Sequence, residues 1–133
     1  RPGEGMRVRF SHARDGLLHI SQTKTGRARV IPLPPKALQA LASQQLQHSD
    51  GLAFRFNYDV FVRYWGRVRA HMGEEGNPQF IPYILRHTFA SWLVQRGADL
   101  SAVRDLLGHS DYKQTLRYAK LAPTNLRSAV SLL

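Results

Sequence analysis

The segment LLGHSDYKQTLRYAKL, residues 106 to 121, places a histidine directly after a glycine and a tyrosine nine positions later. This tyrosine, Tyr118, has a basic residue close by on each side, and a further arginine, Arg86, lies 23 positions before His109. A phenol can act as a nucleophile toward phosphorus, and an arginine fork matches phosphate oxygens bidentately. Taken singly, His109 is more often a helix-ending residue and Tyr118 a half-buried core aromatic. Only their joint spacing favours a chemical role.

The charge of the chain favours a polyanionic partner. There are 19 Lys and Arg against 9 Asp and Glu, which gives a formal net charge of +10. Nucleic acid is therefore the leading candidate. No long uncharged apolar run and no signal peptide are evident, which argues against a membrane partner and favours a cytoplasmic location. The chain has no cysteine, and its six histidines form no ligand cluster, so we expect no metal and no cofactor.

The first third of the chain predicts a small antiparallel sheet. Apolar runs at residues 8–10, 17–21 and 27–33 are separated by Asp-Gly and Thr-Gly steps that suit tight hairpin turns. Two prolines then end the third strand and suit the first turn of a helix over residues 35–45.

Helices account for most of the remaining chain. The segment 57–73 predicts an amphipathic helix with Val60, Tyr64 and Val68 on one face and arginines elsewhere. The next helix, closed by Gly97, carries a predicted core stripe, and a shorter one runs from an Asp99 cap to Gly108 with Leu100, Val103 and Leu107 buried. A short helix around Tyr118 and a last apolar-faced helix complete the chain. The predicted core stripe consists of Leu85, Phe89, Trp92 and Leu93.

The second half of the chain resembles the C-terminal signature of the tyrosine recombinase, or phage integrase, family. That family's pattern is Leu-Arg-His-Thr, then Leu-Gly-His, then a tyrosine nine residues on, as in the LRHT, LGH and Tyr118 of this sequence. The front half agrees, because RPGE at residues 1–4 is similar to the family's Arg-x-Gly-Glu segment and TKTGRARVIPL to its lysine hairpin. The resemblance implies an α+β, mostly helical catalytic fold with one small three-stranded antiparallel sheet near the N-terminus.

The resemblance also implies a set of catalytic residues and a reaction. Tyr118 would be the nucleophile that forms a 3′-phosphotyrosine ester, without metal or ATP, and Arg1 and Arg86 would stabilise the charge that develops on the phosphate. His109 would be aimed at the same phosphate. Lys24, at a hairpin tip, would protonate the leaving 5′ oxygen as general acid.

One position departs from the family pattern. The family usually has histidine three residues before the second arginine, where this sequence has Tyr83. A phenol can donate a hydrogen bond to phosphate, but its pKa near 10 makes it a poor proton acceptor at neutral pH. Tyr83 is therefore a candidate site residue that suits hydrogen bonding to phosphate and is a poor general base.

Several basic residues are candidates for contact with the DNA backbone, and two other functions stay open. Arg27 and Arg29 could fill a phosphate-binding role in place of Lys24. Residues 98–119 also parse as helix, turn, helix, which would suit a DNA reader that does not cut. A type IB topoisomerase would share the active-site residue types. The complete set of backbone candidates is Arg27, Arg29, Lys113 and Arg117.

The resemblance carries expectations about the whole protein. Residues 1–133 would be a catalytic domain truncated at its N-terminus, lacking the core-binding domain and first helices. The partners implied are duplex DNA attachment sites, further copies in a tetrameric synapse formed through the C-terminal tail at residues 122–133, and accessory DNA-bending proteins. A bacterial or prophage origin and association with the nucleoid are implied as well.

Overall fold

The structure is a computed structural model that describes residues 1–21, 28–47, 51–55, 57–123, 130–131 and 133. The chain divides into two compact units, Arg1–Leu85 and Arg86–Leu133. In chain order the elements are α1 (Pro2–Gly5), β1 (Ala13–Arg14), β2 (Leu17–Ile20), β3 (Arg29–Pro32), α2 (Pro35–Gln47), α3 (Tyr58–His71), α4 (Ile84–Gln95), α5 (Leu100–Leu107) and α6 (Lys113–Leu116). The predicted fold class, α+β and mostly helical with one three-stranded antiparallel sheet, is confirmed.

The sheet has the order β1-β2-β3, and its first hairpin turns at Asp15 and Gly16 as predicted. Both turn residues have positive φ, 53° and 74°, which is the backbone that two-residue hairpins favour. Such a turn sets Arg14 directly opposite Leu17. The strand that pairs with β2 must therefore lie immediately before the turn.

The predicted first strand at residues 8–10 is consequently wrong. Arg9 forms an isolated antiparallel bridge with Leu52, and the amide of Ala53 donates to the carbonyl of Val8 at 2.9 Å. The chain then makes a 3₁₀ turn, Phe10–His12, before it enters β1. The apolar run at residues 8–10 thus pairs with the segment at residues 51–53, outside the sheet.

Helix α3 forms where it was predicted, with the Asn57 side chain accepting from the amide of Val60 at 2.9 Å. Its predicted buried face is wrong, since Tyr64 is 59% exposed and Val68 is 40% exposed. The inward residue is Trp65, which stacks on Phe80 and donates from Nε1 to the Phe80 carbonyl at 2.8 Å. The loop after the helix folds back over this face and decides which side is covered.

The core of the second unit consists of Ala90, Val94, Val103, Leu107 and Tyr118. The predicted stripe on α4 is therefore largely wrong. Leu85, Phe89 and Trp92 are exposed, and of that stripe only Leu93 packs against the core. Small side chains on the buried face of α4 let α5 and the Tyr118 ring approach its backbone closely.

Helix α5 matches its prediction closely. The Asp99 carboxylate accepts from the amides of Ser101 and Ala102, at 2.9 and 3.2 Å. Gly108 ends the helix in the left-handed conformation, with φ of 64°. Val103 and Leu107 are buried, and the partly buried Leu100 packs against the same core.

Among the residues that the structure describes, no helix has the length and apolar character that crossing a membrane requires.

Candidate active site

Arg86 lies at the start of α4 and is tied to the end of α5. Its Nη2 donates to the backbone carbonyl of Leu107, the last residue of α5. Leu107 is two positions before His109, so this bond fixes the guanidinium beside the segment that carries the histidine. The two motif segments that the sequence separates by 23 positions are therefore joined directly within the second unit.

His109 is oriented by two contacts from its own unit. Its backbone amide donates to the carbonyl of Arg104 at 3.1 Å, as part of the left-handed termination at Gly108. Its ring Nδ1 lies 2.8 Å from Oγ1 of Thr115, a fully buried residue on α6. A buried hydroxyl needs a hydrogen-bond partner, so this pair fixes the imidazole and satisfies Thr115 together.

Tyr118 follows α6 and is 5% exposed, with its ring in the core of the second unit. Its hydroxyl oxygen lies 2.7 Å from Nδ1 of His87, and the two rings are 6.0 Å apart between centroids. The phenol thus presents its apolar ring to the core and its polar end to α4, at the residue next to Arg86.

The surroundings of His87 lower the pKa of its ring and so favour the neutral form. Burial lowers its pKa below the usual 6.5, and the positive charges of Arg117 and Arg86 lower the pKa further. A neutral imidazole has one nitrogen that accepts and one that donates. Because Nδ1 faces a hydroxyl, it can be the accepting nitrogen while Nε2 carries the proton.

Two residues of this arrangement were not among the predicted site residues. His87 is the histidine of the LRHT motif but received no catalytic role from the sequence, and Thr115 was not singled out. Neighbouring helix positions point about 100° apart, so the adjacency of His87 to Arg86 gives no reason to place both in one site. Thr115 carries no motif, and only its packing brings its hydroxyl to His109.

In the first unit, Arg1 precedes α1 and its Nη1 lies 3.4 Å from Oε1 of Glu4. Arg29 on β3 binds the same carboxylate through two bonds, of 3.2 and 2.8 Å. Burial alone would raise the pKa of Glu4, but its hydrogen bond to Arg29 and the positive charge of Arg29 prevail and lower that pKa. This buried pair fastens the turn that carries Arg1 to the sheet.

The pairing with Glu4 bears on the prediction that Arg29 contacts the DNA backbone. The Arg29 side chain is 13% exposed, and both of its terminal nitrogens bond to the carboxylate. A DNA contact would require breaking a bidentate pair, so the structure favours a supporting role for Arg29. Lys24 and Arg27 lie outside the described residues.

The remaining predicted site residues are placed at the surface. Tyr83 is 37% exposed and lines a cavity of about 550 Å³ together with Pro2 and Gly3 of α1, the helical turn that follows Arg1. Lys113 and Arg117 are exposed on α6 and just after it. Arg86, His109 and Tyr118 thus lie together in the second unit. Tyr83 lies in the first unit, beside α1.

The alternative of a helix-turn-helix reader is not favoured by this geometry. Helix α6 spans only four residues, Lys113–Leu116, and its Thr115 is buried. A recognition helix has to project several side chains into a major groove. A single turn with a buried member cannot do so.

The chain belongs to the phage integrase family, whose model matches residues 1–125. It is 31% identical to tyrosine recombinase XerD of Lacticaseibacillus casei, in a match that covers 92% of this chain and 45% of that protein. It is 30% identical to the integrase of Escherichia phage 186, over 99% of this chain and 37% of that protein. The chain thus spans less than half the length of these relatives.

Solved structures agree with this assignment. The catalytic domain of bacteriophage HP1 integrase matches with a TM-score of 0.75 and 29% identity, over 98% of this chain and 73% of that one. The XerH site-specific recombinase, solved in a post-cleavage complex with a palindromic difH substrate, matches with a TM-score of 0.75 over 98% of this chain and 41% of that one. At 20% identity, the XerH likeness concerns the fold alone.

Proposed function

We propose that this chain is the catalytic domain of a site-specific DNA recombinase or integrase, which cleaves and rejoins duplex DNA through a covalent bond to Tyr118. The observation that carries the proposal is the gathering of Arg86, His109 and Tyr118 in one compact unit, at the spacing of the family signature. Family membership supports the same reaction class.

The reaction follows from the residue types. The Tyr118 hydroxyl oxygen attacks phosphorus, the bond to the 5′ oxygen breaks, and a 3′-phosphotyrosine ester remains. Arg86 and Arg1 supply planar donor forks to the non-bridging oxygens, and His109 donates to the same phosphate. Lys24 gives a proton to the leaving 5′ oxygen. Rejoining reverses these steps, so the ester conserves the bond and neither ATP nor a metal enters the scheme.

The partner in this proposal is a duplex DNA attachment site. The net charge of +10 supports binding through the phosphate backbone, with an affinity that falls steeply as salt rises. The exposed Lys113 and Arg117 are the described candidates for such contacts. XerH, which shares the fold, was solved on its difH substrate. The protein would act at the nucleoid.

The proposal extends to assembly and to the rest of the protein. A tetrameric synapse would form through the tail at residues 122–133, aided by accessory DNA-bending proteins. Residues 124–129 and 132 of this tail lie outside the described residues. A core-binding domain would complete the protein, with residues 1–133 as its catalytic part.

The test uses a nicked suicide DNA substrate that traps the covalent intermediate. The full-length protein should form a protein–DNA adduct that survives denaturation. Tyr118→Phe removes only the hydroxyl, so it should leave DNA affinity nearly unchanged and abolish the adduct. Tyr112→Phe, at an exposed tyrosine six positions away, is the matched control and should retain the adduct. An adduct that persists in Tyr118→Phe would refute the assignment of the nucleophile.

A further inference from the structure

A phenol must lose its proton when it attacks phosphorus, and the residue types around the site leave the acceptor of that proton open. Tyr83 stands where the family usually has histidine, and a phenol is a poor proton acceptor at neutral pH. Arginine cannot accept a proton in proteins. His109 serves as a donor to the phosphate in the proposed scheme, and its Nδ1 pairs with Thr115, so a different basic group has to be found near the Tyr118 hydroxyl.

His87 meets the geometric requirement for this group. Its Nδ1 lies 2.7 Å from the Tyr118 hydroxyl oxygen, within the range for direct proton transfer. Both side chains lie in the second unit, and the Tyr118 ring is fixed in the core there. The two residues are 31 positions apart in the chain, so tertiary packing has built this contact.

We propose that His87 is the proton acceptor for the Tyr118 nucleophile, an inference that rests on the recombinase function proposed above. In the cleavage step the Tyr118 oxygen forms its bond to phosphorus while its proton passes to Nδ1 of His87. The bond from phosphorus to the 5′ oxygen breaks, and that oxygen takes a proton from the general acid. In rejoining, His87 returns its proton to the departing phenolate of Tyr118.

The charges around His87 suit this task. Arg86 on α4 and Arg117 after α6 are the charged groups that act on the ring, and Tyr118 is the titratable group that it contacts. Burial of the ring, and then the charges of Arg117 and Arg86, lower the pKa of His87, which favours the neutral imidazole whose Nδ1 can accept a proton.

The decisive variant is His87→Asn in the full-length protein. An asparagine can offer an amide oxygen near the position of Nδ1, which keeps a hydrogen-bond acceptor but cannot take up a proton. His71→Asn, at an exposed histidine that ends α3, is the matched control. The measurements are DNA affinity and the single-turnover rate of adduct formation on the suicide substrate, between pH 5 and pH 8.

His87→Asn should bind DNA as the unchanged protein does and form the adduct about 10²-fold more slowly or worse, the usual effect of losing a general base. The unchanged protein should speed up as pH rises through a midpoint below 6.5, because protonated His87 cannot accept. That dependence should vanish in His87→Asn and persist in His71→Asn. If His87→Asn does not fold, the profile of the unchanged protein still decides: a rate that does not change between pH 5 and pH 8 would overturn the proposal.

A DNA substrate with sulfur in place of the 5′ bridging oxygen separates the two proton transfers. A thiolate leaves without protonation, so this DNA should not restore the rate of His87→Asn. Restoration would overturn the proposal, because it would place His87 at the leaving group. A His87→Asn rate within threefold of the unchanged protein on ordinary DNA would also overturn it. Either of these outcomes would refute the role of His87 without affecting the proposed recombinase function. Adducts that persist in Tyr118→Phe would instead refute both the role of Tyr118 as nucleophile and the role of His87 as its proton acceptor.

Discussion

Arg86 combines two roles that its residue type makes compatible. Its guanidinium carries five donors in a fixed fork. One of them bonds to the Leu107 carbonyl, which positions the group beside the His109 segment. Its charge also reaches His87 and lowers the pKa of that ring. Arg86 is therefore expected to act on the phosphate and on the base that serves Tyr118.

Arg86→Lys keeps the positive charge but loses the planar fork and the anchored geometry. The cleavage rate should fall by about 10²-fold or more, while DNA affinity changes little, because the lost donors act mainly in the transition state. Single-turnover cleavage and equilibrium binding on the same DNA separate the two quantities. Arg96→Lys, at an exposed residue just after α4, is the matched control. An equal loss of affinity and rate in Arg86→Lys would indicate that the residue only positions the DNA.

At the scale of elements, α4 shows why a core face is difficult to predict from a pattern. Most of its residues are apolar, so two stripes compete for the core. The stripe with the larger residues, including Leu85 and Trp92, is exposed, while Ala90 and Val94 are buried. Close packing against a neighbouring helix requires small side chains, and this requirement outweighed the greater apolar area of the other stripe.

The cap of α5 can be tested because α5 carries two residues of the core and leads directly into His109. Asp99→Ala removes the carboxylate that accepts from the amides of Ser101 and Ala102, and should lower the free energy of unfolding by about 1 kcal/mol. Chemical denaturation of the full-length protein measures this change. Asp105→Ala is the control, since its ion pair with Arg104 is exposed and should contribute little. Equal losses in both variants would contradict a specific capping effect.

At the scale of the whole molecule, the buried Glu4–Arg29 pair predicts how stability responds to acid. Folding lowers the pKa of Glu4 below 4.5 through its pairing with Arg29, so the unfolded chain binds more protons than the folded chain below pH 4.5. The stability that this pairing contributes is present in full above pH 4.5 and is lost as pH falls through the lowered pKa of Glu4. The pKa of His87 is also lowered, so keeping this ring unprotonated costs stability as pH falls below 6.5.

Denaturant unfolding of the full-length protein at a series of pH values measures this effect. Glu4→Gln should flatten the pH dependence of stability below pH 4.5, and should be less stable at neutral pH because Arg29 loses its carboxylate partner. Glu75→Gln, at an exposed carboxylate, is the control and should keep the full dependence. An unchanged acid response in Glu4→Gln would refute the assignment of this window to Glu4.

The sequence by itself determined the features that depend on neighbouring residues. The hairpin at Asp15 and Gly16, the Asp99 cap and the Gly108 termination were predicted, because turn and cap preferences act over a few positions. The fold class was predicted from the resemblance to the family. The family was also evident from the spacing of the motif residues.

Tertiary structure alone decided which helix faces are covered and which side chains meet. The contact of His87 with Tyr118 joins residues 31 positions apart, and the Arg29–Glu4 pair joins residues 25 positions apart. The apolar pattern of residues 8–10 suits either a strand of the sheet or a pairing with residues 51–53. The two-residue hairpin pairs Arg14 with Leu17, so residues 8–10 are left to pair with residues 51–53. Local preference is set by the residue and its neighbours, whereas these contacts depend on how close-packed elements fit around each other.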